Sequence, residues 1–115
     1  MTQATLETML RSSADGPVIE LRGEIDAGAK EALGTAYDAA PHEGRLLLDF
    51  SAVDYINSTG IALIVGLLAR ARAERREVAA AGLSDHYRQI FEITRISDFM
   101  KILDDKHTTK QEAPR

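Results

Sequence analysis

Polar and apolar residues alternate in "TLETMLRS", and "VIELRG" follows after the turn-forming "SADGP". Gly and Pro favour the dihedrals of a tight connection, so the pattern predicts two strands joined as a hairpin. The period then lengthens. Ile25, Ala29, Ala32, Leu33 and Ala36 recur at helical spacing behind Asp26, whose carboxylate suits an N-cap, and predict a helix from about Ala27 to Ala40, before Pro41. "RLLLDF" is a short continuous apolar run, the signature of a central strand buried on both faces. A second helix is predicted from Ser58 to Arg76, with Arg70, Arg72, Arg75 and Arg76 near the negative end of its dipole. "EVAAAGL" reads as a strand ending at Gly82. "SDHYRQIFEITRI" reads as a third helix capped by Ser84 or Asp85, with Tyr87, Ile90, Phe91 and Ile93 turned inward. "DFMKILDD" reads as a last short strand.

That order implies one α/β domain with right-handed crossovers and a mixed, mostly parallel sheet of four to five strands with three to four helices. Its expected limits are residues 6–105, with flexible ends at 1–5 and 106–115, the latter polar and frayed or briefly helical. A chain of 115 residues with 44% hydrophobic and 28% charged residues is an ordinary single globular domain. Eighteen acidic against fourteen basic residues give a net charge of -4, which removes electrostatic support for nucleic-acid binding. There is no cysteine, hence no disulfide and no thiolate metal site. No signal peptide is read at the start, and the uncharged run ending at Ala69 is shorter than the roughly 20 residues that span a bilayer. These features point to a cytoplasmic protein.

The chemistry concentrates in "DYINSTGIALIV", where Ser58, Thr59 and Gly60 open the second helix. A strained serine nucleophile would want G-x-S-x-G, but Ile56 occupies the first glycine position, and the possible bases His42, His86 and His107 are scattered. A phosphate-cradling loop would need more glycines and a lysine. The histidines lack metal-binding spacing, so neither a metal nor a cofactor is expected. The plain alternative is that Asn57, Ser58 or Thr59 caps the helix for about 1 kcal/mol. The two roles are compatible, because a phosphate at a helix N-terminus meets a favourable potential while adding nearly two negative charges.

On this helix Ile61, Ile64, Val65, Leu68 and Ala71 form one stripe, expected to face the sheet. Ala62, Leu63, Gly66 and Leu67 fall on the other side, either as a partner surface beside Ser58 or as packing for the third helix.

"LRGEIDAGAKEAL", "LLLDFSAVDYINSTGIALIVGL" and "FEITRISDFMKILDD" together make the chain similar to STAS domains of the bacterial anti-sigma-factor antagonist type, over about residues 6–105. The resemblance implies a STAS-like fold and a switch without catalysis. An anti-sigma factor that is also a serine kinase would phosphorylate Ser58, or less readily Thr59, and a metal-dependent serine phosphatase would reverse it. The unmodified form would bind the anti-sigma factor through Asp26, Asn57, Ser58, Thr59, Gly60, Ala62, Leu63, Gly66 and Leu67, as a monomer or weak dimer. Asp26 and Asp49 match acidic residues near the phosphorylated serine of the family. In two places this sequence departs from the pattern. Asn57 replaces the Asp before the serine, which keeps capping chemistry but removes a charge. Arg95 replaces the glycine after the third helix, and the cost of a left-handed non-glycine residue predicts a different helix end. A constitutive scaffold subunit of a larger regulatory or lipid-transport assembly, unphosphorylated, is the alternative that Asn57 favours.

Overall fold

The computed structural model describes residues 5–103; residues 1–4 and 104–115 lie outside the described residues. Strands β1 (Leu6–Ser13) and β2 (Gly16–Ile25) form the hairpin. A 3-10 turn (Ala27–Ala29) leads into α1 (Lys30–Ala39), then β3 (Leu46–Ile56), α2 (Ser58–Ala73), β4 (Val78–Ala81), α3 (Asp85–Ile93), a second 3-10 turn (Ile96–Asp98) and β5 (Lys101–Ile102). The five-stranded sheet runs β1-β2-β3-β4-β5, antiparallel at the hairpin and parallel elsewhere. Among the described residues no helix is long and apolar enough to cross a membrane.

Parallel neighbours in sequential order, linked by crossovers of one hand, put every connecting helix on the same side of the sheet. The burial pattern shows this division. Ile19, Leu21, Leu46, Leu48, Phe50, Val78 and Ala80 join one core with Leu33, Tyr37, Ile64, Leu68 and Phe91 of the helices. Alternation along the strands sends Glu20, Leu47, Asp49 and Ser51 to the opposite, helix-free face. Phe50 meets Phe91 edge to face at 5.9 Å between ring centroids, which ties α3 to the same layer.

Three local expectations change. β3 runs well past "RLLLDF" to Ile56, with two register shifts against β2 that place extra residues in β3. A bulged strand loses clean alternation, so this half resembled a loop in sequence. At the first shift Asp49 Oδ1 accepts hydrogen bonds from the Ser51 N–H (3.0 Å) and hydroxyl (2.6 Å), satisfying groups beside the irregular ladder. The last strand shrinks to Lys101–Ile102, because Ile96–Asp98 forms a 3-10 turn first. Ile93 does not turn inward: it is 78% exposed, at the last position of α3.

Arg95 overturns the expectation of a different helix end, adopting the left-handed conformation at φ 68°. The turn is held by Arg95 N–H to Glu92 O (3.2 Å) and Thr94 N–H to Ile90 O (3.0 Å), while Arg95 Nε reaches Asp98 at 2.8 Å. These bonds offset a conformational cost of about 1–2 kcal/mol.

Candidate functional site

The ends of β2 and β3 place Ser58. The Asn57 N–H donates to Ile25 O at 3.2 Å, extending the parallel pairing to the first residue before α2. Gly60 then lies so close to β2 that a Cβ there would sit 1.9 Å from Ile25 O, an impossible distance to a backbone atom. Glycine is required because the helix starts against the strand, not because of its dihedrals. Asn57 is the cap: its Oδ1 accepts from the Gly60 N–H at 2.8 Å. Ser58 and Thr59 therefore occupy the first turn proper and are both exposed. Among the described residues neither hydroxyl has a hydrogen-bond partner.

Two further side chains shape this corner. Asp26, next to Ile25, accepts from the Gly28 N–H (2.9 Å) and the Thr5 hydroxyl (2.7 Å), fixing the 3-10 turn that packs beside α2. The Tyr87 hydroxyl accepts from the Ile56 N–H at 2.9 Å and pins the last residue of β3. Helical spacing marked Tyr87 as inward-facing, but nothing in the sequence showed that its hydroxyl would hold the strand end two residues before Ser58. Asp49 lies on the helix-free sheet face, with its carboxylate engaged by Ser51.

The faces of α2 are turned relative to the sequence reading. Gly60, Ile64, Leu67, Leu68 and Ala71 are buried, so Leu67 belongs to the core and not to an exposed surface. Leu63 is half-buried against that core. Val65, expected inside, is 45% exposed. A sixteen-residue helix with apolar residues all round gives no sharp face, and the close approach at Gly60 selects the side that meets the sheet. Ala62, Val65, Gly66 and Ala69 remain as an open strip of small apolar residues leading away from Ser58. At its far end Arg72 stacks on the half-exposed Phe99 ring, 5.1 Å from its centroid.

The C-terminal end of α2 is quite different. Tyr37 donates its hydroxyl to Glu74 Oε1 at 2.7 Å, His42 Nε2 meets the same oxygen at 3.1 Å, and Arg70 bridges Glu74 and Asp38. Arg70 and Arg76 both lie over the Tyr37 ring, at 4.4 and 5.0 Å. The Tyr37 and His42 hydrogen bonds, with Arg70 adding to them against desolvation, hold the Glu74 carboxyl down at about 2. Burial and the bond to Glu74 push the Tyr37 hydroxyl up.

Among the described residues no histidine hydrogen-bonds Ser58. His42 is committed to Glu74 at the far end of α2, His86 packs edge-on to Tyr87 at 4.8 Å, and neither hydrogen-bonds Ser58. His107 lies outside the described residues. Among the described residues no group of three or more His, Asp or Glu side chains gathers as metal ligands.

The comparisons fit this geometry. A family model described as "Mlab, STAS domain" matches residues 8–104. An anti-sigma-B factor antagonist of Listeria monocytogenes is 39% identical over 89 residues, covering 73% of this chain and 75% of that protein. One of Staphylococcus aureus is 28% identical over 86 residues, covering 73% and 80%. Among solved structures, the unphosphorylated anti-sigma factor antagonist SpoIIAA aligns with a TM-score of 0.60 at 19% identity, over 95% of this chain and all of that one. Its phosphorylated form, from Bacillus, aligns at 0.60 and 18%, over 90% and 96%. A putative antagonist from Thermotoga maritima aligns at 0.68 and 18%, over 94% and 95%. With one α/β layer pair, a bulged third strand and an exposed serine in the first turn of α2, matched across residues 8–104, the chain belongs to the STAS domain family.

Proposed function

We propose that this protein is a cytoplasmic anti-sigma-factor antagonist. The strip Ala62, Val65, Gly66 and Ala69, together with the first turn of α2, binds an anti-sigma factor of the serine-kinase type, and phosphorylation of Ser58 ends the complex. A metal-dependent serine phosphatase restores the unmodified form. The observation that carries the reading is the state of Ser58: exposed, without a hydrogen-bond partner among the described residues, and at the head of an open apolar strip. The names of the Listeria and Staphylococcus relatives support it.

The physical logic follows from Asn57. Because Asn57 makes the capping bond, Ser58 is not needed for the fold and is free to be modified. A phosphate there adds nearly two negative charges beside the 3-10 turn headed by Asp26, at a surface that must lose water to dock. The helix N-terminus stabilises that phosphate within the free protein, so the charge acts on the complex more than on the fold.

The test incubates the protein with its cognate kinase and ATP, maps phosphate by mass spectrometry, and measures partner affinity. Phosphate is expected on Ser58. Ser58→Ala should bind the partner as the unmodified protein does, and Ser58→Glu at least about a hundredfold more weakly, about 2.8 kcal/mol. No phosphate on any residue, with both variants binding equally, would sink the switch.

A further inference from the structure

Among the described residues strand β1 is an open edge of the sheet, eight residues long and exposed everywhere except at Leu6. Natural sheets protect such edges with proline, bulges, very short strands or charged side chains. β1 has only the last, Glu7 and Arg11, one of each sign: it pairs with β2 through eight consecutive residue pairs without a register break, whereas β5 at the other edge has two residues. Met9 is 63% exposed and Leu10 is 40% exposed, one on each face of the strand.

We propose that β1 is the docking strand for a second copy of this chain. Two β1 strands pair antiparallel about a two-fold axis at Met9, joining the two five-stranded sheets into one. Charge selects this register. With Met9 opposite itself, Glu7 of each copy lies opposite Arg11 of the other, giving two opposite-charge pairs on the helix-free face, and Thr8 lies opposite Leu10 on the helix face. Sliding the strands in either direction separates both charge pairs. Arg11 already bonds Glu20 across β2, so its guanidinium would lie between Glu20 and Glu7 of the second copy. The axis stands normal to the sheet, which keeps both sets of helices on one side. α2 takes no part in the joint, and the dimer presents two Ser58 surfaces.

The chain has no cysteine, so Met9→Cys introduces a lone thiol at the axis. Opposed residues of antiparallel strands lie about 4.5–5.5 Å apart at Cα, within disulfide reach. Mild oxidation should convert Met9→Cys to a covalent dimer on a non-reducing gel. Glu7→Cys or Arg11→Cys alone should cross-link far more slowly, and a mixture of the two should form the cross-linked pair. In sedimentation velocity the unsubstituted protein should show a concentration-dependent dimer, weakened at least tenfold by Glu7→Arg. A monomer at every concentration, or Met9→Cys cross-linking no faster than Glu7→Cys alone, would overturn the proposal and leave the edge to a different extended segment.

Discussion

The two ends of α2 are built on opposite plans. At the C-terminal end side chains hold one another: Tyr37, His42 and Arg70 converge on Glu74, and Arg70 continues to Asp38. At the N-terminal end the backbone does most of the holding, through Asn57 N–H to Ile25 O and Gly60 packed on Ile25, with a single side-chain cap from Asn57. Ser58 and Thr59 are left with no structural duty. A surface that must change its charge without unfolding the domain is best placed where the fold rests on backbone contacts, since nothing structural is lost when a hydroxyl is modified.

Substitutions at and beside the two ends of α2 probe this contrast. Gly60→Ala should have the largest effect, because the backbone oxygen it strikes cannot rotate away as a side chain would; a loss of about 3 kcal/mol or more is expected in urea denaturation. If Gly60→Ala proved neutral, the backbone-held account of this end would be wrong. At the other end, Tyr37→Phe removes one hydrogen bond to Glu74 and should cost about 1 kcal/mol while leaving partner affinity unchanged. A matching loss of partner affinity would instead show that the two ends communicate.

Gly66→Ala sharpens the comparison within a single residue type. Nothing lies within 4 Å of a Cβ at Gly66, so alanine should stabilise the helix by somewhat under about 1 kcal/mol. The same methyl group should weaken partner binding, because it thickens the strip proposed to meet the partner; titration calorimetry reads the second effect and thermal unfolding the first. The smallest effect concerns pH. Glu74 in the fold ionises at about 2, below its ordinary value of 4.5, so its ionised form contributes stability above about 4.5 that is lost as pH falls towards 2. Glu74→Gln should flatten the stability curve over that window. An unchanged acid limb would show that the exposed cluster is screened by solvent.

The sequence carried most of the element order, since the two-residue and helical periods are strong in β2, α1 and α3. It failed where period and environment part company. The second half of β3 is strand despite its polar residues because β2 pairs with it through two irregularities, which no local pattern records. Val65 and Leu67 exchanged their expected places because α2 is apolar all round. The site was legible in part: Asn57 and Asp26 cap as their chemistry suggested, whereas Asp49 serves the β3 irregularity and Tyr87 holds the end of the strand.

By itself, then, the sequence determined the α/β order, the absence of thiol chemistry and the serine at the head of an apolar helix, because these depend on residue type and local spacing. The tertiary structure decided which face of α2 is open, that Gly60 must be glycine, and that Ser58 is spared from capping. Each of those rests on the distance between α2 and Ile25 of β2, a contact between segments about thirty residues apart that only the folded sheet creates.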